Sequence, residues 1–226
     1  MSTTYAVADL HGRHDLLEAA IEAIKADAVE AGTIVFLGDY VDRGPQSSKV
    51  IERLMAGPSG GWHWVCLKGN HEEMMVECLR GSKPIDWWIG NGGGQTLESY
   101  GHPRGAEPDV SVVPSSHVAW ADFLPLMHID EHRAFVHAGV DPFVPLDLQD
   151  ARVLLWKRYR PQEDRGHGAL FVVHGHDPSE SGPIIFERRV ALDTLAWLTG
   201  RLTVAVFEDD MPGGPTRFLE VNREPA

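Results

Sequence analysis

Asp9 and His11 stand two residues apart at the end of a short apolar run, Tyr5-Ala6-Val7-Ala8. In extended backbone, residues two apart point to the same side. A carboxylate and an imidazole so placed can reach one metal ion. A second apolar run, Thr33 to Leu37, ends in Gly38-Asp39, and a third, Trp62 to Leu67, ends in Lys68-Gly69-Asn70. Two later runs close on His137 and on His174-Gly175-His176. Asp39 follows the second run and can meet Asp9 and His11, and a carboxylate oxygen can bridge two cations about 3.5–4 Å apart. The mixed nitrogen and oxygen donors suit Mn, Fe or Zn better than Ca or a thiolate-bound ion.

Each piece has a plain structural alternative. Asp39 after a glycine can simply cap a turn, and a histidine closing an apolar strand is more often a hydrogen-bonded core or rim residue. The alternatives fail for the set, because five strand ends in one chain all deliver ligand-type residues.

These side chains need a scaffold that gathers strand ends. The spacing predicts a strand at Tyr5–Ala8, a helix over Asp15–Ala28, a strand at Thr33–Leu37, a helix over Ser47–Met55, a strand at Trp62–Leu67 and a helix over Glu72–Leu79. That alternation is the pattern of a sheet covered by helices, with ligands at the C-terminal strand ends. Residues 81–114, with Trp87-Trp88 and the glycines at 90 and 92–94, read as a loop that can lie over the site. Both tryptophans are more often core residues than substrate contacts. A helix follows at Ser115–Leu124. The second half reads as strands at 133–137, 170–174, 189–192, 202–207 and 217–221, joined more by turns than by helices. They imply a second sheet packed on the first.

The 226 residues fit a single domain, 1–226, with no linker dividing unlike halves. A net charge of -13 argues against nucleic acid or an anionic membrane as partner. It would also repel a polyanionic substrate unless cations sat in the site. Cys66 and Cys78 read as ordinary reduced thiols. No apolar stretch is long enough to cross a membrane, and the expected location is the cytoplasm. The sequence carries no sign of the oligomeric state.

Asp9-Leu10-His11-Gly12, Gly38-Asp39-Tyr40-Val41-Asp42-Arg43-Gly44 and Gly69-Asn70-His71-Glu72, in that order and with the later His137-Ala138-Gly139 and Gly175-His176, resemble the phosphoprotein phosphatase family of metallophosphoesterases. Length and the segment Trp88-Ile89-Gly90-Asn91-Gly92-Gly93 are similar to the small bacterial and phage-lambda-type serine/threonine phosphatases. The resemblance covers about residues 5–207. It implies an α/β fold, a four-layer αββα sandwich of two mixed sheets. It also implies two divalent cations, Mn2+ first with Fe or Zn as alternatives. Asp9 and His11 would hold the first, Asp39 would bridge, and Asn70, His137 and His176 would hold the second. The broader superfamily often has a further histidine two positions after the last; here that position is Pro178, as in the phosphoprotein phosphatase branch. His174 is then a supporting residue.

The same resemblance gives His71 the role of proton donor to the leaving oxygen, with Asp42 holding it. Arg43, Asn70 and Arg158 would bind the phosphate, with Arg160 a competitor for the last place. Lys68 stands where the family usually has arginine; it can still bind the phosphate, but as a point charge with looser geometry than arginine's bidentate fork. The implied reaction is hydrolysis of phosphate monoesters, in phosphoserine or phosphothreonine proteins or small phosphoesters, by direct attack of a hydroxide held by the metals. The alternative substrate is diadenosine tetraphosphate. Asp42 with Arg43 favours the first, while Lys68 and the acidic surface leave the second open. A non-catalytic interaction module on the same fold is the third reading. It is disfavoured because all six ligand positions and the His71/Asp42 pair are intact.

Overall fold

The computed structural model describes residues 2–160 and 162–225. The first half alternates β1 (Thr3–Val7), α1 (His14–Asp27), β2 (Thr33–Phe36), α2 (Ser47–Ala56), β3 (His63–Cys66) and α3 (Asn70–Leu79). β1, β2 and β3 are parallel, with Val7 opposite Phe36 and Phe36 opposite Cys66, so their C-terminal ends align on one edge. Two long strands, β9 (Arg201–Glu208) and β10 (Arg217–Asn222), extend this sheet antiparallel on the other side of β1.

The second sheet runs β4 (Met127–Ile129), β5 (Arg133–Val136), β6 (Phe171–His174), β8 (Arg189–Ala191) and β7 (Ile184–Ile185) in spatial order. β5, β6 and β8 are parallel, and the two edge strands are antiparallel. Both sheets are therefore mixed.

Alternation along the strands makes the layers. Tyr5 and Val7 face the helices and pack with Leu16, Leu17, Ala20, Ile21 and Ile24 of α1. Ala6 and Ala8 face the other way and pack with Phe135, Val173, Val190 and Phe207 between the sheets. On the far side of the second sheet, Val136 and Val172 pack with Leu154 of α7 (Ala151–Trp156). The result is the four-layer αββα sandwich, with a thin outer layer on that side. Burial of each large aliphatic side chain is worth about 1.5–3 kcal/mol, so α1, with four such side chains in the core, is anchored by its apolar face. No helix among the described residues is long and apolar enough to cross a membrane.

Residues 81–114 depart from the expected loop. They contain α4 (Ile85–Trp88), a π-helical turn (Ile89–Gly93), α5 (Gly94–Ser99) and a short 3-10 turn (Val110–Val112). The glycines kink this helical stretch without ending it. Gly92 sits at φ +107°, and a Cβ there would lie 2.8 Å from the Arg43 backbone nitrogen. The kink lets the chain approach Arg43, whose N–H donates to the Gly92 carbonyl at 3.1 Å. Trp88 is fully buried, and Trp87 stacks on Trp156 with centroids 6.1 Å apart. A last helix, α8 (Ala196–Thr199), precedes β9.

Candidate active site

The strand ends converge as the sequence leads one to expect. The His11 N–H donates to the Asp39 carbonyl at 2.8 Å, which locks the turn after β1 to the turn after β2. Seven non-glycine residues among those described have a positive φ between 40° and 74°: Asp9, His11, Asp39, Asp42, Arg43, His176 and Leu195. Six of them are predicted site residues. Left-handed backbone at non-glycine positions costs free energy and persists where the surroundings enforce it, which is typical of functional turns. Glu72, in the third motif, is the clamp. Its buried carboxylate accepts from the backbone N–H groups of Asp39, Tyr40, Val41 and Gly69 at 2.8–3.2 Å, tying the β2 and β3 turns together.

Two groups of buried side chains are tight enough to hold a cation: His11, Asp39 and His71, and Asp39, His137 and His176. Asp39 belongs to both. Asp9 joins neither, and its carboxylate accepts from the His176 N–H at 3.2–3.3 Å. Asn70 lies beside the second group, with Oδ1 2.8 Å from His137 Nε2.

The donor set fits a metal. His137 Nδ1 is 2.9 Å from the Leu37 carbonyl, which can only accept, so that nitrogen carries the proton. Burial pushes the His137 ring down from its ordinary value and keeps it neutral. Its bare Nε2 then faces Asn70 Oδ1 and, at 3.4 Å, Asp39 Oδ1. Three acceptor atoms converge, and a cation would satisfy all of them. His11 is fixed in the same way, Nδ1 to the Val41 carbonyl at 2.8 Å, and burial also lowers it. His176 is pushed by burial to about 2. Neutral imidazole is the form that ligates.

His71 differs. Burial would lower it, but the Asp39 charge and the 2.7 Å bond to Asp42 outweigh burial and raise it. Asp42 is itself held by Trp88 Nε1, at 2.9 and 3.0 Å from its two oxygens, and by the Thr96 hydroxyl at 2.7 Å. Arg43 spreads its fork over His11 Nε2 at 2.7 Å and His71 Nε2 at 3.0 Å. A ligand on either imidazole competes with it. Arg158 Nη1 bonds to the His176 carbonyl at 2.5 Å and borders the cavity.

Lys68, expected at the phosphate, is placed elsewhere. Its ammonium donates to the Asp122 carbonyl at 2.6 Å, and the side chain does not line the cavity. A carbonyl and carboxylate from α6 (Ser115–Phe123) capture the charge. Arg160 does not line the cavity either, and its backbone N–H donates to Glu163. His174 lies buried behind the site, between the Gly175 carbonyl and Arg189.

The cavity has a volume of about 620 Å³ and opens on Asp9, Asp39, Asn70, His71, Arg43 and His176. Trp156, Trp197, Leu195 and Pro178 form an apolar wall beside them. Thr96 and Asp193 escaped sequence reasoning, as did the bond from Trp88 to Asp42. Asp193 follows β8 just as Asp9 follows β1, so the strand-end signal was present for it. Trp88 and Thr96 reach Asp42 across 46 and 54 residues of chain, which spacing does not encode.

Residues 2–207 match the family model described as Calcineurin-like phosphoesterase. The chain belongs to this family. Its members are metallophosphoesterases, hydrolases of phosphoric esters, and the family needs divalent metals. A symmetrical bis(5'-nucleosyl)-tetraphosphatase of Pseudomonas syringae is 29% identical over 181 residues, 78% of this chain and 53% of that protein. This phosphoesterase thus spans about half the length of that relative. Serine/threonine-protein phosphatase 1 of Salmonella typhimurium is 24% identical over 204 residues, 89% of this chain and 90% of that one. A crystal structure described provisionally as a diadenosine tetraphosphatase superposes with a TM-score of 0.66 at 22% identity, covering 98% of this chain and 93% of the other, which shows a common fold.

Proposed function

We propose that this phosphoesterase, acting as one unit over residues 1–226, is a two-metal phosphatase of phosphate monoesters. Its substrates are phosphoserine or phosphothreonine in proteins, or small phosphoesters. The observation that carries this reading is the two ligand groups that share Asp39, in one of which His71 is held by Asp42 at 2.7 Å through its other ring nitrogen. Asp9 and His11 would hold one cation, Asn70, His137 and His176 the other, and Asp39 both. Mn2+ suits these donors, with Fe or Zn as alternatives. Two such cations would offset phosphate charge and make a water nucleophilic near neutral pH.

The chain's own residues supply the rest. His71 Nδ1 is engaged by Asp42, so Nε2 is the atom that can deliver a proton to the leaving oxygen. Arg43 offers a planar fork to two phosphate oxygens once it leaves the imidazoles. Arg158 and the Asn70 amide complete the phosphate contacts.

A second reading, hydrolysis of diadenosine tetraphosphate, is favoured by the wall of Trp156, Trp197 and Leu195, which suits a planar base beside the phosphates. The test is a substrate panel on chelator-treated protein titrated with Mn2+, Fe2+ and Zn2+. An aryl phosphate, a phosphoserine peptide and diadenosine tetraphosphate are compared at equal enzyme. Restored monoester turnover supports the first reading. Turnover confined to the dinucleotide replaces it with the second. A folded protein inert toward all three would revive the interaction-module reading.

A further inference from the structure

Asp193 follows β8 and lines the same cavity as Asp9. Only 5% of it is exposed. Its Oδ1 accepts one hydrogen bond, from the Leu195 N–H at 2.8 Å. That N–H is aimed by Leu195 itself, the one left-handed non-glycine residue outside the motifs, at φ +53°. Among the described residues no cation forms an ion pair with Asp193. The two arginines of the cavity are engaged elsewhere, Arg43 on His11 and His71, and Arg158 on the His176 carbonyl. Around Asp193, the residues Pro178, Leu195 and Trp197 offer no metal-ligating atom.

A buried carboxylate without an ion-pair partner is unfavourable; Arg43 and Arg158 favour the Asp193 charge only through space, and it stands near two other carboxylates, Asp9 and Asp39. Such an arrangement is compensated by a cation. We propose that Asp193 is a further residue of the metal centre, holding the cation of Asp9 and His11 through a bound water that donates to its free oxygen. This rests on the two-metal reading above and adds a position to it. The Leu195 N–H fixes the carboxylate, and the apolar neighbours keep competing donors away from it. Partners that hold ligands in place in this way typically contribute 10- to 100-fold to metal affinity.

The experiment is calorimetric titration of metal-free protein with Mn2+, for the unaltered chain and for Asp193→Asn, Asp193→Ala and Asp193→Glu. Asp193→Asn keeps the shape and the bond from Leu195 and removes the charge. Two sites are expected in the unaltered chain. In Asp193→Asn one site weakens 10- to 100-fold and the other changes by less than about threefold; Asp193→Glu recovers part of the loss. Two unchanged sites in a folded Asp193→Asn protein overturn the proposal. Weakening of stability in Asp193→Ala with both Mn2+ affinities intact overturns it too, since that is the mark of a turn cap alone. Fewer than two Mn2+ sites in the unaltered chain overturns the two-metal reading, and with it this one, before any variant is measured.

Discussion

His71 Nδ1 lies 2.7 Å from a carboxylate oxygen of Asp42, and neither side chain is exposed beyond 2%. His71 itself belongs to one of the two ligand groups that share Asp39. An imidazole raised by adjacent carboxylates is an acid that survives to higher pH than a free one. His71→Asn should therefore slow hydrolysis by on the order of 10²–10⁴ with an alkyl phosphate, and much less with an aryl phosphate, whose leaving group needs no proton. Mn2+ binding should be largely kept. Rates with the poor leaving group that match the unaltered enzyme would remove His71 from the mechanism.

Trp88 extends the same network. Its indole N–H donates to both Asp42 oxygens from a position with no exposure. Trp88→Phe keeps most of the ring and deletes a hydrogen bond to a buried charge, worth about 1.5–3 kcal/mol. We expect a lower Tm and a roughly tenfold lower kcat with little change in KM. The informative measurement is a double-mutant cycle. If Trp88 acts through Asp42 on His71, Trp88→Phe should cost little further kcat once His71 is Asn. Equal losses in both backgrounds would make Trp88 a packing residue only.

The parts of this site that the sequence reveals are those carried by local pattern. β1, β2 and β3 end within two residues of their expected ends, because each is a short apolar run stopped by a glycine or a ligand residue. Asp39, His137 and His176 meet because parallel strands align their ends. Lys68 follows the same pattern, yet Asp122, 54 residues away, decides where its ammonium goes. Residues 85–99 mislead. Four glycines announce a loop, yet the helix continues, because Gly93 packs against the Trp88 ring and Gly92 against Arg43. β7, two residues long, and β4, three, are too short to show a period.

Gly92 gives that observation a consequence. Its φ of +107° is strained for any residue with a side chain, and the added Cβ would meet Arg43 N and Cγ at 2.8 Å. Gly92→Ala should cost about 1–3 kcal/mol of stability. It should also displace Arg43, so kcat/KM for an aryl phosphate falls at least tenfold. Comparison with Arg43→Ala separates the two effects, since a displaced Arg43 makes the double variant no worse than Arg43→Ala alone. Additive losses in the double variant would show that the glycine serves the fold and not the arginine.

Arg13 closes the turn after His11 from behind. Buried, it grips Asp15 with Nε at 2.9 Å and Nη2 at 2.7 Å, and reaches the Ala196 carbonyl at 3.1 Å and that of Glu224 at 2.7 Å. The hydrogen bond from Arg13 holds the Asp15 carboxyl below its ordinary value. A depressed carboxylate contributes stability above the unfolded value, about 3.9, and loses it as pH falls through the lower folded value. Asp15→Asn should accordingly lower Tm by a few degrees at pH 6. Because 39% of the Asp15 side chain is exposed, solvent screening keeps the gap modest. As pH falls below about 4 the gap should begin to narrow, and it should close only below the depressed folded value, since a protonated Asp15 resembles the asparagine that replaced it. Other carboxylates titrate alike in both proteins and cancel in the difference. A gap that stays constant from pH 6 to pH 3 would mean that Asp15 contributes its shape and not its charge.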